Sequence, residues 1–337
     1  MAPFPFSKYT FMLPLVYGYA LKKVIACLSE THHNKEANYF EGGQKMAHRK
    51  RRFGDRYDGR LLRTLDPFYK IIPYIMRTRV DAQNYFEDRI EVSGTEEFIR
   101  NKRKTANQPI TFLHVIIAAM VRTISQKPGL NRFIAGQKIY ARNDIYISFA
   151  LKKELKEDSA ETTLKVKFQP TDTFDDVVSK VNQAILENKD VGLKNDTDKL
   201  AKLIMRIPGF LVRFVVWLLR SLDYIGLMPK IINKLSPFHT SIFITDLGSV
   251  GIEPVFHHLY EFGTTSSFIA FGLKSKEKVI NSSNEIVNKK YVRLRVVTDE
   301  RTVDGHYYAL AFKLYRNLIK HPEKLELPPE HIYEDVD

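Results

Sequence analysis

The chain is poor in cysteine and tryptophan, with one residue of each among 337. A single cysteine, Cys27, excludes an internal disulfide framework and a zinc site built from several cysteines. This cysteine usage is compatible with a reducing compartment, so the sequence predicts a cytoplasmic protein. Phenylalanine and tyrosine are plentiful in contrast, with 22 and 17 residues, which argues against general disorder and for a sizeable core.

Long apolar runs are also missing. Near the N-terminus, about a dozen mostly apolar residues precede Lys22 and Lys23, fewer than the roughly 20 that a membrane-spanning helix needs. The stretch IPGFLVRFVVWLLRSLDYIGLMPKIINKL is interrupted by Arg213, Arg220, Asp223 and Pro229, and it predicts one or two amphipathic helices. Two uses of these helices remain open: packing on a core or subunit interface, or lying on a membrane surface.

Acidic residues are outnumbered by basic ones, 39 against 52, which gives a formal net charge of +13. Such a balance suits nucleic acid, anionic lipid or a phosphate-bearing substrate. The densest basic cluster, HRKRRFGDRYDGR between His48 and Arg60, is interrupted by aspartate and tyrosine, and no nucleic-acid-binding motif accompanies it. The sequence therefore predicts a solvated arm here and no nucleic-acid partner.

Regular secondary-structure patterns begin beyond residue 47. Residues 1–47 predict an N-terminal extension, because SETHHNKEANYFEGGQK is polar, rich in turn-forming residues and without a period. Residues 48–337 alternate helix and strand patterns in one continuous region, with an apolar helical insertion at about 201–235. This mixture predicts one α+β domain in which helices cover one large sheet.

Helical spacing is clearest in TFLHVIIAAMVRTISQ, where Thr111 is a candidate N-cap and Pro128 and Gly129 end the pattern. A second helix is predicted in TFDDVVSKVNQAILEN, where Thr173 and Asp176 have a spacing similar to a capping box. Strand character is found in NDIYISFAL, LKVKFQP, TSIFITDL, SSFIAFGLK and YVRLRVVTD. An amphipathic closing helix follows the last of these strands.

Four stretches occur in an order that a known family shares. They are KPGLNRFIAGQKIYARNDIYISFAL, FITDLGSVGIEPVFHHLYEFGTTSSFIAFG, DERTVDGHYYALAF and LIKHPEKLELP. Together they resemble the catalytic domain of the dihydrolipoyl acyltransferases of 2-oxoacid dehydrogenase complexes and, more distantly, chloramphenicol acetyltransferase. The resemblance runs from about residue 50 to the end of the chain. It implies a chloramphenicol acetyltransferase-like fold with a mixed sheet, a homotrimer with sites between subunits, and acyl transfer with coenzyme A as a substrate and without a metal.

The chain departs from this family at the residue that the resemblance makes catalytic. Glu300 stands where the family has a histidine that takes the proton from the acceptor thiol. An ordinary carboxylate is a weak base for a thiol, so retained chemistry would need an unusual setting for Glu300 or another way of activating the acceptor. The alternative is a solvated turn carboxylate paired with Arg301 or Arg293. His306 is a possible substitute base, although a surface histidine at the helix start is the simpler interpretation.

Other residues keep the family's pattern. The resemblance makes Asp304 structural, held in an ion pair or hydrogen-bond network that fixes the turn. It gives Gly305 a backbone shape that is closed to other residues. It also implies a hydroxyl that stabilises the oxyanion of the tetrahedral intermediate, for which Thr245 is the best match and Ser241 a weaker one.

Some features of the family's proteins are not found. The sequence shows no lipoyl-lysine hairpin and no room for a peripheral-subunit-binding domain, so it does not predict the core of a dehydrogenase complex. His257 and His258 fall in a loop without an evident third metal ligand, and they are interpreted as surface histidines.

Two functions stay open. One is an acyl-CoA-dependent acyltransferase with an altered mechanism, whose acceptor is a thiol, a hydroxyl or an amine. The other is a catalytically silent relative that binds acyl thioesters or serves as an assembly partner. A weaker third interpretation is a peripheral membrane or lipid-binding protein built around residues 201–235.

Overall fold

A computed structural model of the chain describes residues 50–152, 161–190 and 208–337. The predicted extension at 1–47 lies outside these residues, and so do residues 201–207 of the predicted insertion. The described residues belong to one compact unit, Arg49–Asp337. Within them the chain forms the strands β1–β9 and the α-helices α1–α7, joined by loops and short 3-10 turns.

The strands are β1 (Gly59–Leu61), β2 (Gln83–Glu91), β3 (Arg132–Ala135), β4 (Lys138–Arg142), β5 (Ile145–Lys152), β6 (Glu161–Phe168), β7 (Ile242–Asp246), β8 (Ser267–Ile280) and β9 (Ile286–Asp299). The helices are α1 (Pro67–Ile75), α2 (Ser93–Thr105), α3 (Phe112–Gln126), α4 (Phe174–Asp190), α5 (Gly209–Tyr224), α6 (Lys230–Leu235) and α7 (Gly305–Lys320). The predicted strands and helices of the described ranges are all present, but β8 extends past its predicted end at Lys274 and β9 begins before its predicted start at Tyr291.

Six strands form one large sheet in the order β2-β9-β8-β7-β5-β6. The β5–β7 and β7–β8 pairs are parallel and the other pairs are antiparallel, so the sheet is mixed, as predicted. A second, three-stranded sheet with the order β1-β4-β3 was not predicted. Its strands are short and lack the alternation that identifies a strand in sequence.

The main core lies between one face of the large sheet and helices α2, α3, α4 and α7. Helix α3 is central, and every residue from Phe112 to Ser125 is buried. Along β7, Ile242 and Ile244 point into this core, whereas Phe243 packs with Phe268 on the opposite face. This alternation follows from the two-residue period of a strand.

The predicted helix ends are also found. Thr111 is the N-cap of α3, and its N–H donates to His114 Nδ1 at 3.0 Å. At the start of α4, the N–H of Thr173 donates to Asp176 Oδ2 at 2.9 Å, and the N–H of Asp176 donates to Thr173 Oγ1 at 3.3 Å. Within residues 208–235, the apolar insertion forms the two helices α5 and α6, which are joined by a short loop that ends at Pro229.

Strands β8 and β9 form a long hairpin. Beside β7, β8 is paired only as far as Phe271, and the register with β9 shifts between Phe271 and Lys274. On the other side, the pairing of β2 with β9 ends at Tyr291. Beyond these points the two strands continue as a ribbon in which, among the described residues, each strand pairs only with the other.

Candidate functional site

The turn at residues 300–305 connects β9 to α7 and is held by short polar contacts. The N–H and the hydroxyl of Thr302 both donate to the carbonyl oxygen of Asp299, at 3.1 and 2.8 Å. Asp304 is the N-cap of α7: its Oδ1 accepts from the N–H of Tyr307 at 2.7 Å, and its Oδ2 accepts from the hydroxyl of Tyr69 at 2.6 Å. The Tyr69 hydrogen bond also lowers the pKa of Asp304. Asp304 thereby fixes where the turn ends and the helix begins.

Glu300 is half-buried at the start of this turn. Its N–H donates to the carbonyl oxygen of Ala82 at 2.9 Å, which ties the turn to the segment before β2. Among the described residues, its carboxylate makes no hydrogen bond and no ion pair. The backbone of Glu300 is therefore fixed, while its side chain has no partner within the described ranges and is able to contact a ligand or another subunit.

The expected partners of Glu300 are engaged elsewhere, so the predicted pairing is wrong. Arg301 forms a two-point contact with Asp299, with Nε to Oδ1 at 2.8 Å and Nη2 to Oδ2 at 2.7 Å, and both side chains are buried. Arg293 lies 3.6 Å from the carboxylate of Glu87. In the turn after β9, the guanidinium of Arg301 thus reaches back to Asp299, and the carboxylate of Glu300 between them takes part in neither contact.

The structure also revises the role expected of Gly305. Its φ angle is not in the left-handed region, and a Cβ atom at this position would meet nothing within 4 Å. The family-like glycine is therefore not required by backbone geometry in this chain. His306 is exposed in the first turn of α7, as predicted.

Thr245 is half-buried in β7, far from Glu300 within one chain. It lies beside Ala270 of β8, which in turn lies beside Arg295 of β9. Glu300 follows Arg295 by five positions, which is roughly 17 Å along a strand. One chain therefore does not bring these two predicted catalytic residues together.

Ser241 has a structural contact, since its Oγ accepts from the N–H of Tyr146 at 3.0 Å. His257 stacks on the ring of Phe268 with a centroid distance of 4.0 Å, while its neighbour His258 is exposed. In the described part of the chain, no group of three or more His, Cys, Asp or Glu side chains is placed to hold a metal ion.

Sequence reasoning missed a second polar cluster, which we call the buried ion network: Arg56, Asp58, Asp223 and His239. Arg56 donates through Nε to Asp58 at 2.8 Å and through Nη2 to Asp223 Oδ1 at 2.7 Å. His239 Nε2 lies 3.3 Å from Asp223 Oδ2, and its Nδ1 lies 2.8 Å from Ser236 Oγ. A proton on Nε2 satisfies both histidine contacts, because Asp223 then accepts and Ser236 donates.

Burial controls the charges in and around this network. It lowers the pKa of His239, so the imidazole is neutral even though Asp223 opposes this effect. Burial alone would raise the pKa of Asp223, but the hydrogen bond from His239 and the charge of Arg56 outweigh it and lower that pKa to about 2. Nearby, the pKa of Lys165 is lowered to about 7, mainly by burial and in smaller part by the positive charge of Arg142.

The network and the turn at 300–305 lie along the same edge of the large sheet. Arg142 Nη2 donates to the carbonyl oxygens of Thr240 and Thr264, just before β7 and β8 begin. At the same level, the N–H of Asp299 donates to the carbonyl oxygen of Ser266. Two strand spacings, about 10 Å, separate β7 from β9. A polar edge therefore joins the two clusters.

No motif in the sequence identifies the buried ion network. Arg56 precedes Asp223 by 167 positions, and each of its members sits in a segment without a chemical motif. Asp223 was visible only as a charge that interrupts an apolar helix. A single acidic residue within an apolar helix is the pattern that could have indicated an internal partner, because a buried charge needs one.

Comparisons with known proteins bear on the fold. No protein-family model matches the sequence, and no curated protein matches it. The crystal structure of a probable dihydrolipoamide acetyltransferase from Listeria monocytogenes is similar, with a TM-score of 0.51 and 13% identity, covering 80% of this chain and 97% of that one. The cubic core of a pyruvate dehydrogenase multienzyme complex gives a TM-score of 0.50 at 12% identity, covering 77% and 89% of the two chains.

A dihydrolipoamide acetyltransferase of Azotobacter vinelandii is similar to the same degree, with a TM-score of 0.50 and 13% identity, covering 73% of this chain and 84% of that one. Similarity at such low identity shows a shared fold. The chain thus has the α+β fold of the dihydrolipoamide acetyltransferase cores, with a large mixed sheet covered by helices, as its sequence predicts.

Proposed function

We propose that the protein is an acyltransferase that moves an acyl group from a coenzyme A thioester to an acceptor, at sites formed between the subunits of a trimer. The turn at 300–305 carries the proposal. In a fold shared with dihydrolipoamide acetyltransferases, this turn is fixed by Asp304 and by the Asp299–Arg301 pair. It presents the half-buried carboxylate of Glu300, which has no partner among the described residues.

In the proposed reaction, the acceptor attacks the thioester carbonyl carbon, and Glu300 takes a proton from the acceptor. The C–S bond then breaks, and the thiolate of coenzyme A leaves and takes up that proton. The hydroxyl of Thr245 donates to the oxyanion of the intermediate, where one such donor contributes about 3 kcal/mol. A carboxylate base suits an amine acceptor best, because the attacking nitrogen becomes acidic once the new C–N bond forms.

The separation of Glu300 and Thr245 supports a site that is shared between subunits. Catalytic groups must lie within about 3 Å of the reacting atoms, whereas these two residues are roughly 17 Å apart along the sheet of one chain. A cyclic trimer places the same two surfaces of neighbouring subunits against each other three times. Each site would then take Glu300 from one subunit and Thr245 from the next.

The first experiment measures the release of the coenzyme A thiol from acyl-CoA substrates of increasing chain length, with thiol, hydroxyl and amine acceptors. We expect Glu300→Gln to lower kcat by about 10²-fold or more, because amide and carboxylate have similar size but only the carboxylate accepts a proton. The matched control is Glu97→Gln, which removes an exposed carboxylate on α2. A Glu300→Gln enzyme as active as wild type would exclude Glu300 as the base. A wild type that turns over no combination of acyl-CoA and acceptor would identify a silent relative.

The second experiment mixes subunits. Glu300→Gln and Thr245→Val chains are each expected to be inactive, but random mixed trimers would contain both intact residues at about a quarter of their sites. Co-refolding the two variants should therefore restore about a quarter of the wild-type rate. If both residues acted within one chain, the mixture would stay inactive. A native mass of a single chain would likewise contradict the shared site.

A further inference from the structure

Helix α5 carries an exposed aromatic stripe. Phe210, Phe214 and Trp217 are 66%, 53% and 59% exposed, and Tyr224 at the end of the helix is 53% exposed. Their spacing of three, four and seven residues places them on one face of the helix. The opposite face holds Asp223, which the buried ion network ties to the body of the protein. The stripe is therefore fixed outward by the fold.

A second apolar face continues this surface. On α1, Phe68, Ile71 and Ile75 are 69%, 51% and 68% exposed. The side chain of Gln137 joins the two helices, because its Nε2 donates to the carbonyl oxygen of Pro73 and its Oε1 accepts from the hydroxyl of Tyr224. We call the exposed apolar residues of α1 and α5 together the apolar platform.

On the α5 and α6 side of the platform, the exposed charges are all basic. Residues 208–235 contain the basic residues Arg213, Arg220, Lys230 and Lys234, and their one acidic residue, Asp223, is buried and paired with Arg56. Arg213 and Arg220 lie two turns apart beside Trp217, where they line a shallow groove with Val212, Val216 and Ser221. Such a surface is matched by a layer of anionic phosphates over an apolar phase.

We propose that the apolar platform docks on the surface of a membrane that contains anionic lipids. Aromatic side chains and arginines are the residues that settle at the boundary between headgroups and acyl chains. In the described part of the chain, no helix is long and apolar enough to cross a membrane. In the docked protein, α5 would lie in the plane of the interface with its aromatic stripe toward the lipid. The absence of exposed carboxylates on residues 208–235 favours lipid phosphate over a protein partner with mixed charges. This inference is independent of the proposed acyl transfer.

The test uses the intact protein and the single tryptophan of the chain, Trp217, as its own reporter. Vesicles of phosphatidylcholine alone are compared with vesicles that also contain phosphatidylglycerol, by co-sedimentation and by tryptophan emission. We expect binding to the anionic vesicles with a shift of emission to shorter wavelength. Binding should weaken at high salt, because screening reduces the attraction between arginines and phosphates.

Two variants separate the charged and apolar contributions. Arg213→Glu with Arg220→Glu should lower the partition onto anionic vesicles about tenfold or more, and Phe210→Ser with Phe214→Ser should do so as well. All four positions are on the surface of α5, so circular dichroism should show an unchanged fold. The control is Arg100→Glu with Lys313→Glu, two exposed cations on α2 and α7 that should leave binding unchanged.

Three outcomes would overturn the inference. These are equal sedimentation with and without anionic vesicles, binding that both α5 variants leave intact, or a change in native mass on Phe210→Ser with Phe214→Ser without an effect on vesicles. The last result would make the platform a contact between copies of the chain. Acyltransferase activity is not read in any of these measurements, so a failure here does not affect the proposed function.

Discussion

Replacing Asp223 by asparagine removes one charge from the buried ion network and keeps the shape of the side chain. Asp223 is 12% exposed, and its pKa of about 2 lies below its ordinary value of 3.8. A depression of nearly two units corresponds to about 2.5 kcal/mol of folding free energy at pH 7. An asparagine oxygen can still accept from Arg56, so the loss should stay below the roughly 3–5 kcal/mol expected when a buried pair is broken outright. We therefore expect Asp223→Asn to lower the free energy of unfolding by about 2–3 kcal/mol.

The pH dependence gives this prediction its sharpest form. Because the folded-state pKa is depressed, the contribution of Asp223 is complete above the unfolded value of 3.8 and is lost as pH falls through about 2. The difference between wild type and Asp223→Asn should thus shrink to about half at pH 3. Urea unfolding followed by circular dichroism measures it, with the exposed Asp81→Asn as the control. A difference below about 0.5 kcal/mol at pH 7, or one that persists unchanged at pH 3, would refute the reasoning.

Two further predictions concern a lysine and a pair of glycines. Burial lowers the pKa of Lys165 to about 7 from an ordinary 10.5, so the unfolded chain binds the proton of this lysine more readily than the folded chain does. Between pH 7 and pH 9, the free energy of unfolding of wild type should therefore rise by about 2 kcal/mol relative to that of Lys165→Met. A pH-independent difference in urea unfolding would contradict this. Gly263 has a φ angle of +102°, and a Cβ there would lie 2.2 Å from the carbonyl oxygen of Phe238, so Gly263→Ala should lower the thermal midpoint by several degrees or prevent folding. Gly305→Ala should change the midpoint by little, because nothing lies within 4 Å of its added carbon; an equal loss in both variants would show that space and φ do not decide the effect.

The elements of the fold follow closely from local patterns in the sequence. The α3 helix was predicted from Thr111 to Pro128 because an apolar period, an N-cap and a terminating proline all agree. The β7, β8 and β9 strands were recognised from their β-branched and aromatic residues. The order of strands in the sheet is not a local property, and the resemblance to acyltransferases implied only that the sheet is mixed. The three-stranded sheet was missed since neither source describes it.

The candidate site was predictable to a lesser degree. The place of Glu300 and Asp304 at a turn between strand and helix was expected, but the pairing of Arg301 with Asp299 was not. Spacing along the chain puts Arg301 next to Glu300, whereas the shape of the turn brings its guanidinium back to Asp299. Arg56, Asp223 and His239 come together only through tertiary structure, and no spacing rule connects them.

The ribbon of β8 and β9 has a consequence for how the protein behaves at high concentration. Beyond Phe271, the edge of β8 has no neighbouring strand among the described residues, and its hydrogen-bonding groups could accept a strand from another molecule. Lys276 and Lys278 are exposed on this edge, and like charges on two approaching copies repel each other. We therefore expect the lysines of the ribbon to oppose aggregation by edge-to-edge pairing, which is the hazard of a long strand with an open edge.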